Sequence, residues 1–204
     1  MSRFSQAISE GDGISVIPLL EGDVDELAAL AEEAGAEAIA VDPAEVERAR
    51  GRTALPIITR HVDPRSVAEL GGDACILVYD ALADDRERLE EAYALARELD
   101  VDCAVEVRDE NELEGVLERI DPDLVLISER DLDPDEEDLE RTLDLLADVP
   151  VGKLVISEAR VVAREQVVAL ERAGVDAVLV HGLARGSDFS AAVEELVRGS
   201  GTHH

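Results

Sequence analysis

Aromatic side chains are almost absent from this sequence: they make up 2% of its 204 residues, and there is no tryptophan. Any core must therefore be built from valine, leucine, isoleucine and alanine, which are plentiful, since 46% of the residues are hydrophobic. No apolar run approaches the ~18 residues that a membrane-spanning helix requires. The N-terminus also lacks the basic and apolar pattern of a signal peptide. We therefore expect a cytoplasmic protein that does not bind a membrane.

Cysteine is equally scarce. The two cysteines, Cys75 and Cys103, each lie in an apolar, strand-like run. Cysteine in such a run is usually a small buried hydrophobic residue, so we predict reduced, buried thiols and no disulfide. No G-x-G-x-x-G follows the first predicted strand, and no other cofactor signature is present. We therefore expect no cofactor.

Positive charge is the third scarcity. Nineteen basic residues face 49 acidic ones, which gives a net charge of −30, and Lys153 is the single lysine. Such a charge repels nucleic acid and anionic membranes, so neither is an expected partner. The acidic residues are spread along the whole chain, which indicates an acidic shell on a folded protein and not a disordered tail. Because this shell repels itself unless salt screens it, we predict a halophilic, salt-rich cytoplasm.

Short apolar runs alternate with amphipathic segments along the chain. The predicted strands are 14–20, 38–41, 55–59, 74–79, 103–107, 124–127, 154–157 and 177–180. The predicted helices between and after them begin near residues 24, 44, 63, 84, 109, 139, 161 and 189. Strands that are apolar throughout are typical of a parallel sheet buried on both faces. Eight such units predict an α/β fold, a single compact (β/α)₈ TIM barrel, with a doubly wound open sheet as the competing fold.

The predicted barrel occupies residues 13–198. Residues 1–12 are polar without a clear period and are expected to form a flexible arm, so any N-terminal extension to the barrel is short or absent. Residues 199–204 are expected to be a tail.

Polar residues collect where the predicted strands end. Glu106 lies near the end of the fifth strand, and Ser128 follows the sixth. Asp109, with Glu112 three residues later, is the pattern of a helix N-cap with its capping-box partner. In a parallel barrel the carboxyl ends of the strands meet at one face, which is where ligands bind.

Five short segments, which follow one another in order along the chain, carry a family resemblance. They are L-P-I-I-T-R-H-V at 55–62, V-E-V-R-D at 105–109, I-S-E-R-D-L at 127–132, I-S-E-A-R at 156–160 and A-V-L-V at 177–180. They resemble, in the same order, the indole-3-glycerol phosphate synthase motifs L-P-V-L-R-K-D-F, V-E-V-H-D, I-N-N-R-D-L, V-S-E-S-G and A-V-L-V-G. Each motif is weak alone, but their order is fairly specific, and the resemblance covers residues 14–197.

The resemblance implies a TIM barrel from tryptophan biosynthesis, whose reaction closes an indole ring with loss of carbon dioxide and water. It implies catalytic positions at Glu106, Arg60, Ser128 and Glu158. The family uses lysine as the general acid at the Arg60 position and asparagine at the Ser128 position. Arginine stays protonated and is a poor proton donor. We therefore expect altered or lost catalysis, with a carboxy-lyase as the activity if any remains.

The resemblance also implies a phosphate site after the seventh and eighth strands. The matching residues are Arg160, Gly182, Arg185, Gly186 and Ser187. The family has glycine at the positions of Arg160 and His181, so the inherited site is changed here. Arginine can bind a carboxylate or phosphate through paired hydrogen bonds. The predicted ligand is thus a small anionic or phosphorylated metabolite.

Three alternatives stay open. The strand-end arginines can simply pair with neighbouring carboxylates. His61 and His181, with Asp80 and Glu106, can be read as a metal site, but no close histidine spacing supports it, so we predict no metal. Finally, the chain can be a non-catalytic barrel that acts through a protein partner or as a homodimer.

Overall fold

A computed structural model describes residues 2–11, 13–82, 86–133, 139–160, 163–183 and 187–198. Its eight strands are β1 (Ser15–Pro18), β2 (Ile39–Ala40), β3 (Ile57–Arg60), β4 (Ala74–Val78), β5 (Asp102–Val107), β6 (Leu124–Ser128), β7 (Leu154–Ala159) and β8 (Ala177–Val180). The α-helices in these ranges are α1 (Arg3–Ser9), α2 (Val24–Glu33), α3 (Val46–Arg50), α4 (Pro64–Leu70), α5 (Tyr79–Leu82), α6 (Arg86–Glu98), α7 (Glu110–Arg119), α8 (Glu140–Leu146), α9 (Arg164–Ala173) and α10 (Ser187–Val197). A 3₁₀ turn, Pro43–Glu45, precedes α3.

The strands form one parallel sheet in the order β1-β8-β7-β6-β5-β4-β3-β2. Its two outer members then meet: Leu19, just after β1, bridges to Ala40 in β2. The amide of Leu20 donates to the carbonyl of Ala40 at 2.9 Å. The sheet therefore closes on itself, and the predicted (β/α)₈ barrel is confirmed.

Alternation along each strand separates two apolar layers. Inward-facing residues, including Ile17, Ile58 and Leu126, fill the barrel interior. The intervening positions, including Val105 and Ile127, pack under the surrounding helices. This explains the uniformly apolar strands in the sequence, because side chains on both faces of the sheet are buried.

The N-terminal segment differs from the prediction. Where a flexible arm was expected, the structure has α1, whose Phe4 and Ile8 are buried in the barrel interior. The carboxylate of Asp102, at the start of β5, accepts a hydrogen bond from the amide of Ser5 at 2.7 Å. The prediction of an arm is thus wrong for residues 3–9, because two apolar residues four positions apart give the short helix a buried face. The predicted tail, 199–204, lies outside the described residues.

The two cysteines are free and buried, as predicted. They face each other on β4 and β5, with Cys75 the register partner of Cys103. The hydrogen bond with Cys75, together with burial, raises the pKa of the Cys103 thiol well above its usual value. Within the described ranges, no helix is both long enough and apolar enough to span a bilayer.

Candidate functional site

The four predicted catalytic residues converge at the carboxyl ends of the strands. We call Arg60, Glu106, Ser128 and Glu158 the strand-end cluster. Arg60, Glu106 and Glu158 come from β3, β5 and β7. Side chains from alternate strands of a TIM barrel share one layer of the interior, so these three meet although they are far apart in sequence.

Arg60 connects the two glutamates. Its Nε donates to Glu106 Oε2 at 2.8 Å, and its Nη2 donates to Glu158 Oε2. The Arg60 side chain is 19% exposed, whereas those of Glu106 and Glu158 are 2% and 0% exposed. Burial lowers the pKa of Arg60, but the charges of Glu158 and Glu106 raise it by more, so the pKa of Arg60 lies above its ordinary value. Arg60 is therefore a fixed cation and not a proton donor.

A second arginine contacts Glu106 from the rim. Arg108 Nη2 donates to Glu106 Oε1 at 3.2 Å, and its Nη1 lies 3.8 Å from the carboxylate of Asp80. Asp109 caps α7 as predicted, since its Oδ1 accepts from the amide of Glu112 at 2.9 Å. The capping-box carboxylate of Glu112 bonds one residue earlier than expected, to the amide of Arg108 at 2.7 Å. This bond fixes the backbone that carries Arg108.

Ser128 orients Glu158 from the neighbouring strand. The two residues are register partners on β6 and β7, and Ser128 Oγ donates to Glu158 Oε2 at 2.7 Å. Glu158 Oε1 is buried and has no hydrogen-bond partner among the described residues. A buried acceptor without a partner is costly, so this oxygen has the capacity to bind a water or a ligand donor.

Two cavities open at this end of the barrel, and together we call them the barrel mouth. The larger, about 320 Å³, has apolar walls that include Leu20 and Ile58, and its charged lining residues are Arg60, Arg130, Glu21, Asp42 and Glu45. The smaller, about 210 Å³, is lined by Arg60, Val78, Glu106, Arg108, Arg130 and Asp131. Arg60 and Arg130 border both. Apolar walls with a few charged groups are usual for a site that binds small molecules.

The predicted phosphate residues are only partly described. Arg160 directly follows β7, and Gly182 follows β8 with a φ of +69°. A Cβ at Gly182 would lie 3.2 Å from the guanidinium carbon of Arg160, so the two residues are in contact. Ser187 begins α10, while Arg185 and Gly186 lie outside the described residues. The anion site thus stays a prediction.

The single lysine lies at the other end of the barrel. Lys153 immediately precedes β7, and its Nζ donates to Asp121 Oδ1 at 2.6 Å and to the carbonyl of Pro122 at 2.7 Å. It cannot reach the strand-end cluster.

The histidine-based alternative gains no support. Over the described ranges, no group of three or more histidine, cysteine, aspartate or glutamate residues is arranged to hold a metal ion. His61 Nδ1 instead bonds the backbone of Asp63 at 3.0 Å.

Arg108 and Arg130 line the mouth, but they were counted only among the strand-end arginines and not among the predicted site residues. Glu129, beside the mouth on the outer side of the barrel wall, was not predicted either. The period of two offered a signal for the arginines, because Arg108 and Arg130 lie two residues beyond Glu106 and Ser128 and so point to the same side. For Glu129 the signal was weaker: a carboxylate stands where the resembling motif has a neutral asparagine.

The fold and the strand-end cluster together define a (β/α)₈ barrel with a charged, ligand-sized mouth. The sequence model of the family "Indole-3-glycerol phosphate synthase" matches residues 20–196. The chain is also 36% identical, over 157 residues, to the indole-3-glycerol phosphate synthase of Verminephrobacter eiseniae. This match covers 74% of the chain and 58% of that relative's length. The chain belongs to the indole-3-glycerol phosphate synthase family.

Solved structures support the fold independently. Two mutant forms of the tryptophan synthase α-subunit from Pyrococcus furiosus superpose with TM-scores of 0.68 and 0.69, at 16% and 17% identity. Each covers 92% of this chain, and the chain covers 98% and 99% of theirs. At this identity the likeness concerns the barrel architecture alone.

Proposed function

We propose that the barrel binds a small phosphorylated or carboxylated metabolite of tryptophan biosynthesis at its mouth and has altered or lost the synthase reaction. The observation that carries this proposal is the position of Arg60. It occupies the third-strand position at which the family resemblance implies a lysine acid, and two buried glutamates hold it there. A guanidinium held in this way stays charged throughout the physiological range and cannot donate a proton to a substrate.

Two arginines at the mouth support an anionic ligand, although the carboxylates of Glu21, Asp42 and Glu45 also line the larger cavity. Arg60 uses Nε and Nη2 for its carboxylate partners, while Arg130 makes no ion pair with any described residue. Both side chains border the larger cavity. On a chain with net charge −30, cations directed into a cavity provide a local site to which a carboxylate or phosphate can bind bidentately.

The proposal is tested by thermal unfolding and calorimetry in about 1 M salt. The probes are indole-3-glycerol phosphate, its carboxyphenylamino precursor and inorganic phosphate. A ligand that binds only the folded state stabilises it by about 2.7 kcal/mol at 100 times Kd. Arg130→Ala should abolish this shift. Arg52→Ala is the matched control, because Arg52 pairs with Asp25 at 2.7 Å on the surface and borders neither mouth cavity.

Turnover of the carboxyphenylamino precursor is measured in parallel by indole fluorescence. We expect binding without turnover, and turnover at a rate usual for enzymes, about 1–10³ s⁻¹, would contradict the loss of catalysis. The competing function, a barrel that acts only through a protein partner, is favoured by one observation: Arg60 is already neutralised by Glu106 and Glu158. Absence of binding by all three probes would support that function and exclude ours.

A further inference from the structure

Directly beside the strand-end cluster, a fully buried carboxylate lies on the outer side of the barrel wall. Glu129 follows Ser128 and is 0% exposed. Since Ser128 points inward, the alternation of the strand directs Glu129 outward, toward α8. No mouth cavity includes it among its lining residues. A buried charge at this position needs partners, and the structure shows what they are.

The partners of Glu129 belong to the first turn of α8. Its Oε2 accepts from the amide of Leu139 at 3.1 Å, and its Oε1 accepts from the amide and the hydroxyl of Thr142, both at 3.3 Å. Leu139 has a φ of +70°, a left-handed conformation that is unfavourable for leucine, and its own side chain provides no cap. Glu129 thus replaces a local N-cap residue, and its negative charge lies at the positive end of the helix dipole.

The same helix turn holds the rim of the mouth. Arg141, in the first turn of α8, donates from Nη1 to the carbonyl of Ser128 at 2.8 Å and pairs with Asp131. The amide of Arg130 bonds Ser128 Oγ at 3.3 Å. Thr142 Oγ1 also lies 2.9 Å from Ser157 Oγ, which is adjacent in sequence to Glu158. A shift of this turn therefore reaches Arg130, which lines both cavities, and Glu158, which binds Arg60.

We infer that Glu129 is a positioning residue: by capping α8 from the barrel wall it fixes Arg130 and Glu158 at the mouth, although it does not contact the ligand itself. This inference rests on the proposed function for its ligand. It assigns a role to a residue at which the chain carries a charged glutamate and the family motif a neutral asparagine. The effect is transmitted through Arg141 and Ser128, whose hydrogen bonds connect the helix to the strand end.

The test compares three variants at a temperature at which all are folded. Glu129→Ala removes the acceptors, and Glu129→Gln keeps one of them in the same place. Asp63→Ala is the control: Asp63 also caps a helix with its carboxylate, as the local N-cap of α4 that accepts from the amide of Arg65 at 3.1 Å, but it borders neither mouth cavity. We expect Glu129→Ala to weaken binding of indole-3-glycerol phosphate by about tenfold or more, which is ~1.4 kcal/mol. Glu129→Gln should restore part of the affinity, and Asp63→Ala should leave the affinity unchanged.

A second readout needs no ligand. NMR follows the Nε–H of Arg60, which is bonded to Glu106, and hydrogen exchange follows the amides of Leu139 and Thr142. In Glu129→Ala we expect faster exchange at both amides and a shifted Arg60 signal, neither of which should appear in Asp63→Ala. If the wild type binds no probe but the Arg60 signal moves, the proposed function fails and the positioning role stands. If Glu129→Ala speeds exchange at the two amides but leaves the Arg60 signal unmoved, the positioning role is wrong. It is also wrong if the wild type binds indole-3-glycerol phosphate and Glu129→Ala binds it with the same affinity.

Discussion

Replacing Arg60 by methionine tests the energetics of the strand-end cluster most directly. The change keeps an apolar stem but leaves Glu106 and Glu158 without their shared cation. Loss of one partner of a buried ion pair costs about 3–5 kcal/mol, because the remaining charge stays buried and uncompensated. Arg108 still contacts Glu106, and Ser128 still contacts Glu158. We therefore expect the low end, a loss of ~3 kcal/mol.

The measurement is urea unfolding at constant high salt, followed by circular dichroism. For a chain of this size, each kcal/mol corresponds to about 2–4 °C in melting temperature. The control is Arg48→Met, which removes ion pairs to Asp25 at 2.6 Å and to Glu45 at 2.7 Å. Arg48 is half exposed, and surface pairs contribute little, so we expect a much smaller effect.

A double-mutant cycle isolates the pair. If Arg60 and Glu158 stabilise one another, Arg60→Met combined with Glu158→Gln should be more stable than the sum of the single losses predicts, with a coupling of about 1–3 kcal/mol. A coupling near zero, or an Arg60→Met variant as stable as Arg48→Met, would refute the assignment of Arg60 as the cation that compensates the buried glutamates.

Three further predictions follow from charge and packing. The melting temperature should rise between 0.1 and 1 M salt, as the screening length falls from about 10 Å to about 3 Å, and a flat profile would contradict self-repulsion of the acidic shell. Burial raises the pKa of Glu37 although the amide of Val16 donates to it at 3.0 Å, so its folded pKa exceeds its unfolded pKa. Ionised Glu37 therefore lowers the stability of the folded state at neutral pH, so Glu37→Gln should unfold at a higher urea concentration than the wild type at pH 7. Below about pH 4, where Glu37 is protonated, the two proteins should be equally stable. A Glu37→Gln variant that stays more stable in acid would contradict burial of the charge as the cause. A Cβ at Gly115 would clash with the hydroxyl of Tyr79 and lie 3.0 Å from its Cζ. Gly115→Ala should therefore lower the free energy of unfolding by about 1–2 kcal/mol, although alanine has the better helix propensity. A variant more stable than the wild type would show that Tyr79 moves aside without cost.

The barrel, and the meeting of polar residues at the carboxyl ends of its strands, could be predicted because both follow from local patterns. Apolar runs separated by amphipathic segments determine the number of strands, and polar residues that close those runs mark the carboxyl ends. Glu106, Ser128 and Arg60 lie where these rules place them. These local patterns do not predict which side chains pair. Arg60 bonds Glu106 and Glu158 only because the closed barrel brings side chains from alternate strands into one layer.

Two elements escaped prediction for related reasons. Helix α1 is short and mostly polar. Its Phe4 and Ile8 are buried against residues that are distant in sequence, so the local sequence around them does not reveal their burial. Helix α5 follows β4 without a break, and its first residue, Tyr79, extends the apolar run of β4 and so was predicted as strand. The hydrogen bonds of Glu129 also escaped prediction, because its partners lie at the start of α8, a helix that begins eleven positions later.

The closure of the barrel also has a consequence for synthesis of the chain. One edge of β1 pairs with β8, through partners such as Ser15 and Ala177. The chain between them is roughly 160 residues, which a ribosome working at about 5–20 residues per second completes in roughly 8–30 s. During that interval the edge of β1 is an unpaired template for foreign strands. Nascent chains with so many carboxylates repel one another on the polysome. The negative charge that destabilises the finished barrel at low salt therefore opposes aggregation through the unpaired edge of β1 during synthesis.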